Sequence, residues 1–243
     1  MSAPDHVVTM GHVVITGTVG GIGAALAAHF ASLGWTVTGI DREPGPAAFP
    51  TIEADITDEA AMEDAFARAA EIAPITAVIA NAAVTDLNHH NVIDMPYDVW
   101  RKVLRVNVDG AFLTARCAAR RMQGGGNIVF VTSSLARLSD AQAGDAPYCT
   151  SKAAVEMLTR VLAIELAPLG INVNTLFPSV MIDTGFFAHW SQQDRAGLAP
   201  PTLLNETALF LATLPSGMAT GRSLDQQRWD DDPAYRSSWE TAT

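Results

Sequence analysis

Thr16-Gly17-Thr18-Val19-Gly20-Gly21-Ile22-Gly23 is the stretch on which the fold turns. A β-branched run at residues 12–16 leads into it, and a helical pattern at 21–33 leaves it. Glycines between a strand and a helix let the backbone approach a pyrophosphate and aim the helix N–H groups at it. The spacing here is Gly-x-x-x-Gly-x-Gly, longer than the Gly-x-Gly-x-x-Gly fingerprint. A plain structural turn is the competing reading; the position between strand and helix favours a dinucleotide.

Downstream, short apolar runs alternate with longer amphipathic ones. Strands are expected at 35–40, 51–54, 75–80, 127–132, 171–177 and 223–225. Helices are expected at 59–72, 96–122, 147–167 and 203–214, the long second one capped by Asp94. A loop with aromatics runs to about residue 201. Such βαβα alternation predicts an α/β fold: a parallel sheet with helices on both faces. No repeat, linker or low-complexity segment interrupts it, so residues 1–243 read as one domain.

Bulk properties narrow the partners. The chain has 243 residues, 49% hydrophobic and 17% charged, which suits a sizeable core. A net charge of −11 argues against nucleic acid or an anionic membrane as partner. Residues 1–11 lack the basic and apolar regions of a signal peptide. The longest uncharged stretch, 166–182, carries Pro168, Asn172, Asn174 and Pro178 and is no membrane span. Cys117 and Cys149 have no metal-ligand spacing and read as reduced thiols of a cytoplasmic protein. His89 and His90 are adjacent in a loop and cannot share a helix face, so no metal site is expected.

Asp41 ends the second strand, where a carboxylate can hydrogen-bond the adenosine ribose hydroxyls. It repels a 2′-phosphate, so it selects NAD over NADP; Arg42 is the one neighbour suited to that phosphate. In Ala54-Asp55-Ile56-Thr57, Asp55 reads as an adenine contact, a helix cap, or both. Asn81 ends the fourth strand among small residues that would let the chain pass close to a cofactor.

Tyr148 and Lys152 stand four apart, which stacks them on one helix face. A phenol titrates near ~10, and bringing it near 7 takes roughly 4 kcal/mol. One cation ~4 Å away, at an effective dielectric of about 20, supplies about that much. The pair is a plausible acid/base device.

Together these motifs resemble the short-chain dehydrogenase/reductase family from about His12 to Gly221. The resemblance implies a Rossmann-like doubly wound sheet and reversible hydride transfer between a small secondary alcohol and NAD. It implies Tyr148 as acid/base, Lys152 as the group that lowers its pKa and holds the nicotinamide ribose, and Asn107 as a fourth catalytic member kinking the long helix. Ser134 is implied as the partner of the substrate oxygen, with Ser133 as its alternative. Gly17, Gly21, Ile22, Gly23, Asp41, Asp55, Ile56, Asn81 and Pro178 are implied as cofactor contacts, beside Tyr148 and Lys152. A homodimer or homotetramer through the two long helices is implied too, with Ala111, Ala115, Ala118, Ala119, Ala153 and Ala154 on their outer faces.

Some positions depart from the family pattern. Ala83 and Ser179 replace glycines, Thr184 comes one residue late, and the loop 135–146 is one residue longer. The substrate loop, 184–202, is short, and residues 226–243 form an atypical acidic and aromatic tail. Phe186, Phe187, His189 and Trp190 suggest a partly apolar pocket or a packed lid. Arg137 reads as a solvated loop residue or a partner for a substrate carboxylate. The competing functions are an NADP-dependent ketone or 3-oxoacyl reductase and a non-catalytic dinucleotide-binding regulator.

Overall fold

The computed structural model describes residues 10–45 and 48–241. The reading of the leader-free start at 1–9, and the last two residues of the tail, lie outside them. In chain order the regular elements are β1 (His12–Thr16), α1 (Gly21–Ser32), β2 (Thr36–Asp41), β3 (Thr51–Glu53), α2 (Glu59–Ile72) and β4 (Ala77–Ala80). There follow α3 (Tyr97–Leu104), α4 (Gly110–Ala119), β5 (Gly126–Val131), α5 (Ala146–Leu166) and β6 (Ile171–Phe177). Then come α6 (Gln192–Arg195), α7 (Asn205–Ala212), β7 (Ser223–Asp225), α8 (Gln226–Asp231) and α9 (Pro233–Glu240).

All seven strands pair in parallel in the order β3-β2-β1-β4-β5-β6-β7. The order reverses between β1 and β4, and a ligand crevice in such a sheet opens outside the carboxyl ends of the strands at that switch. Alternate residues feed opposite faces. Val14, Val78 and Phe130 pack with Phe66 of α2, Ala118 of α4 and Val155 of α5. Val13, Ile15 and Val129 pack with Phe30 of α1, Leu211 of α7, and Trp229 and Trp239 of the tail. Ala115 and Ala118, expected on an outer helix face, are fully buried against the sheet instead.

The long helix expected at 96–122 is broken. A π-helical turn, Arg105–Asp109, separates α3 from α4, and Pro96 rather than Asp94 occupies the N-cap position. The apolar periodicity continues through the π turn, so the sequence pattern does not show the inserted residue. A 3-10 turn at Pro201–Leu204 precedes α7, where one helix over 203–214 was expected.

The tail forms two helices, and its Tyr235 hydroxyl accepts Asp225 N (2.9 Å) and donates to Ser223 O (3.1 Å). β7 is an edge strand, and these are backbone groups that an edge leaves open. The aromatic tail thus takes the place of a further strand. Asn127, Asn172 and Asn174, buried on β5 and β6, donate to Ala212 O, Pro215 O and Ala219 O and tie down the loop before β7.

Candidate active site

The glycine turn sits at the carboxyl end of β1 with little slack. Gly17 has φ +76°, a left-handed conformation that suits glycine. A Cβ at Gly23 would stand 2.0 Å from Gly17 O and 2.6 Å from Asn81 Nδ2. Asn81 donates from Nδ2 to Thr16 O (3.0 Å) and Gly17 O (3.2 Å), so it holds the turn from across the switch. A Cβ at Gly20 would meet nothing within 4 Å, and no side chain caps α1 there. An uncapped helix N-terminus beside open space is a cradle for an anion. Ile22 lies half-buried in the first turn of α1.

Asp41 ends β2 beside this cradle and accepts Val19 N at 3.0 Å. Asp55 does not cap α2; Asp58 does, accepting Ala61 N at 3.0 Å. Asp55 instead accepts Thr57 N at 2.8 Å. Burial alone would raise its pKa, but the bonds from Thr57 and the charges of Arg42 and Arg105 outweigh this and leave it lowered. Ile56 packs against Gly110 with its side chain in the core, and it lines a small cavity with Thr16, Ala82 and Lys152. Pro178 follows β6, and the turn after it brings the Thr184 methyl to 3.2 Å from the position a Gly21 Cβ would take. The late threonine therefore still reaches the start of α1.

On α5, Lys152 is buried and its ammonium donates to Val131 O at 2.8 Å. It lies 5.6 Å from the centre of the Tyr148 ring. The Tyr148 phenol lies beside Ser133, whose Oγ accepts Leu135 N at 3.2 Å. Ser134 opens a 3-10 turn, and its carbonyl accepts Arg137 N at 2.9 Å.

One expectation changes here, and the change is electrostatic. Burial dominates the Tyr148 phenol and pushes its pKa up, with Ser133 opposing and the Asp145 and Cys149 charges adding. Burial also lowers Lys152 to about 8, against the charge of Glu156. The simple estimate from one nearby cation left out desolvation, which here is the larger effect.

Asn107 sits in the π turn and is buried. Its Oδ1 accepts Val84 N (2.8 Å), while Nδ2 donates to Val84 O (2.9 Å) and Ser151 Oγ (2.9 Å). The amide therefore clamps the chain after β4 to the start of α5. A small cavity lined by Thr16, Asn107, Thr114 and Lys152 lies behind it. The Phe186 ring stands edge-on to Tyr148 at 6.0 Å, so one aromatic of the substrate loop reaches the catalytic side chain. Phe187 packs on Trp190 at 4.9 Å, as in a lid.

Arg137 is an exposed loop residue, as one of its readings expected, and it lies over the Phe177 ring at 4.2 Å and pairs with buried Asp225 at 3.5 Å. Asp225 also accepts Ser179 Oγ at 2.9 Å. His89 bonds Asp145 (3.0 Å) and His90 bonds Asp86 (2.8 Å). Among the described residues, no three His, Cys, Asp or Glu side chains cluster as a metal site would need, and no helix is long and apolar enough to cross a membrane. Cys117 is buried, with its thiol pushed up to about 11 by desolvation.

Comparison with known proteins gives the family. Residues 11–195 match the family described as short chain dehydrogenase. The chain is 32% identical over 232 residues to a galactitol 2-dehydrogenase (L-tagatose-forming) of Cereibacter sphaeroides, covering 86% of this chain and 91% of that one. It is 32% identical over 231 residues to an NAD-dependent glycerol dehydrogenase of Listeria innocua, covering 87% and 90%. The crystal structure of a short-chain type dehydrogenase/reductase from Mycobacterium marinum superposes with a TM-score of 0.79 at 27% identity, covering 90% of this chain and 94% of that one.

Proposed function

The chain belongs to the short-chain dehydrogenase/reductase family, and from that premise we propose that it oxidises a secondary hydroxyl of a small polyol with NAD, reversibly. The observation that carries this reading is the meeting of Tyr148 and Lys152 on one face of α5, with the Lys152 ammonium bonded to Val131 O at the carboxyl end of β5. The polyol class rests on the galactitol and glycerol dehydrogenase relatives.

The residues fit a dinucleotide. Gly17, Gly20, Gly21 and Gly23 leave room for the pyrophosphate at the start of α1, and Asp41 stands where the adenosine ribose would lie. Asp55, Asn81 and Pro178 border the same crevice. Bound NAD supplies the hydride acceptor. Tyr148 removes the hydroxyl proton as phenolate and returns it in the opposite direction. Ser134 orients the substrate oxygen, with Ser133 as its alternative. Lys152 holds the nicotinamide ribose and stabilises the phenolate once both are enclosed. Asn107 fixes the start of α5, and Phe186 forms an apolar wall.

Asp41 decides the nucleotide. Replacing it by Ser is expected to lower NAD affinity about tenfold and to relax exclusion of NADP, since a charge-assisted bond is worth roughly 1.5–3 kcal/mol. Calorimetric titration of both proteins with NAD, NADH, NADP and NADPH measures this. Preference of the parent for NADP(H) would move the assignment to the ketone reductase, and silence toward all four would remove the dehydrogenase reading. A panel of polyols, galactitol and glycerol included, then tests for NADH production.

We also propose a homodimer or homotetramer. Phe112 of α4 and Met157, Val161 and Ile164 of α5 are exposed apolar residues on neighbouring helices. A second copy would cover them. Light scattering is expected to give two or four chain masses; a single 25.7 kDa chain would exclude it.

A further inference from the structure

Three side chains of α5 reach three consecutive residues at the end of β5. The Tyr148 phenol lies beside Ser133, Lys152 donates to Val131 O at 2.8 Å, and Glu156 Oε1 accepts the Thr132 hydroxyl at 2.7 Å. The spacing is i, i+4, i+8, so the three stand in one row along the helix. Only the first two belong to the acid/base pair. We propose that Glu156 is a positioning residue for that pair, fixing the strand end both partners touch and holding the Lys152 charge in place. The inference rests on the dehydrogenase reading and adds a residue to it.

The bonds around Glu156 make a braced corner. Its Oε1 also accepts Ser223 Oγ at 3.2 Å, and Thr175 Oγ1 donates to Ser223 Oγ at 2.8 Å. The backbone N–H of Thr132 donates to Leu176 O at 2.8 Å. Glu156 thereby joins the ends of β5 and β7, with Thr175 of β6 between them. Thr132 cannot shift without moving the Val131 carbonyl on one side and the Ser133 hydroxyl on the other.

The electrostatic part follows from what surrounds Lys152. On its own helix the titratable neighbours are Tyr148 and Glu156. The cavity beside it brings Thr16, Asn107 and Thr114 from other elements, all uncharged. Glu156 is the charge that opposes desolvation of the ammonium, whose pKa is about 8. On its far side Glu156 opens onto a cavity of about 330 Å³ shared with Arg160, Arg222 and Tyr235. Those guanidiniums are engaged elsewhere, Arg160 with Gly221 O (2.8 Å) and Arg222 with Ser238 O (3.0 Å).

Glu156→Gln, which keeps the shape and removes the charge, separates the two contributions from a merely structural role. Removing the anion lets the Lys152 pKa fall further, so the ammonium is lost at lower pH. The readout is NADH affinity by fluorescence titration of the full chain from pH 6 to 10, with the kcat profile on whichever polyol turns over. The alkaline loss of affinity is expected to move down by about one pH unit in Glu156→Gln, and Glu156→Asp should restore most of it. Thr132→Val, which keeps the charge but loses the bond, should lower kcat without moving the limb. A Glu156→Gln profile that superimposes on the parent overturns the inference while leaving the dehydrogenase reading intact. If Glu156→Gln does not fold, a Thr132→Val variant with parental kcat, or with a displaced limb, overturns it instead. Failure of the parent to bind NADH would sink the dehydrogenase reading first.

Discussion

Tyr148→Phe is expected to reduce turnover by about 10²–10⁴-fold, the usual contribution of a positioned acid or base, while NADH affinity stays within a few-fold of the parent. The phenol ring is half-buried, packed edge-on against Phe186, and Phe retains that ring contact. What disappears is one hydroxyl, beside Ser133 and one helical turn from the Lys152 ammonium. Steady-state rates on the best polyol, beside NADH titration of the same preparation, measure both quantities. Full turnover in the variant would remove Tyr148 from the chemistry, and parallel loss of NADH binding would make its role structural.

The direction of the pKa shifts gives this variant a companion signature in the parent enzyme. Burial raises the phenol, so at neutral pH it carries its proton. Ketone reduction needs that proton and is expected to run well at neutral pH. Alcohol oxidation needs the phenolate and should speed up as pH rises, until Lys152 loses its charge above about 8. The two directions should therefore have separated optima, and Tyr148→Phe should abolish the separation.

The parallel sheet with helices on both faces was readable because it depends on two strong signals: apolar periods and the place of glycine in them. β1, β6, β7 and α2 have the expected limits, and β6 is fully buried along its length. The π turn at Asn107 was not readable from periodicity, because one extra residue rotates the helical face without interrupting the apolar pattern. The choice between Ser133 and Ser134 was not readable for a related reason: position in a loop of altered length does not fix which hydroxyl serves the substrate. Arg137 and Glu156 illustrate a third limit. Each finds its partner 67 to 88 residues away, Ser223 and Asp225, and pairings across that distance leave no local pattern. The four-residue step from Lys152 to Glu156 was in view all along, yet without Thr132 beside it that step reads as a solvated helix pair.

Gly23→Ala is expected to weaken NADH binding by about 10–100-fold and to lower the melting temperature, because the added methyl has nowhere to go. Its carbon would sit 2.0 Å from Gly17 O and 2.6 Å from Asn81 Nδ2, far inside contact distance. The carbonyl cannot simply retreat. Gly17 N donates to Ile40 O at 2.8 Å, and its carbonyl is held by Asn81 at 3.2 Å, so the turn is fixed from β2 and from the end of β4. Forcing a methyl into such a site costs about 1–3 kcal/mol, and a turn displaced to accept it no longer aims its N–H groups at a pyrophosphate. Gly20→Ala is the matched control. Its Cβ would meet nothing within 4 Å, and φ there is −158°, an extended conformation open to any residue. Thermal melts should leave Gly20→Ala at the parental temperature and show Gly23→Ala several degrees lower. NADH binding by Gly23→Ala equal to the parent would mean that the nucleotide does not lie on this turn, and the assignment of Gly17, Gly21 and Gly23 would fall with it.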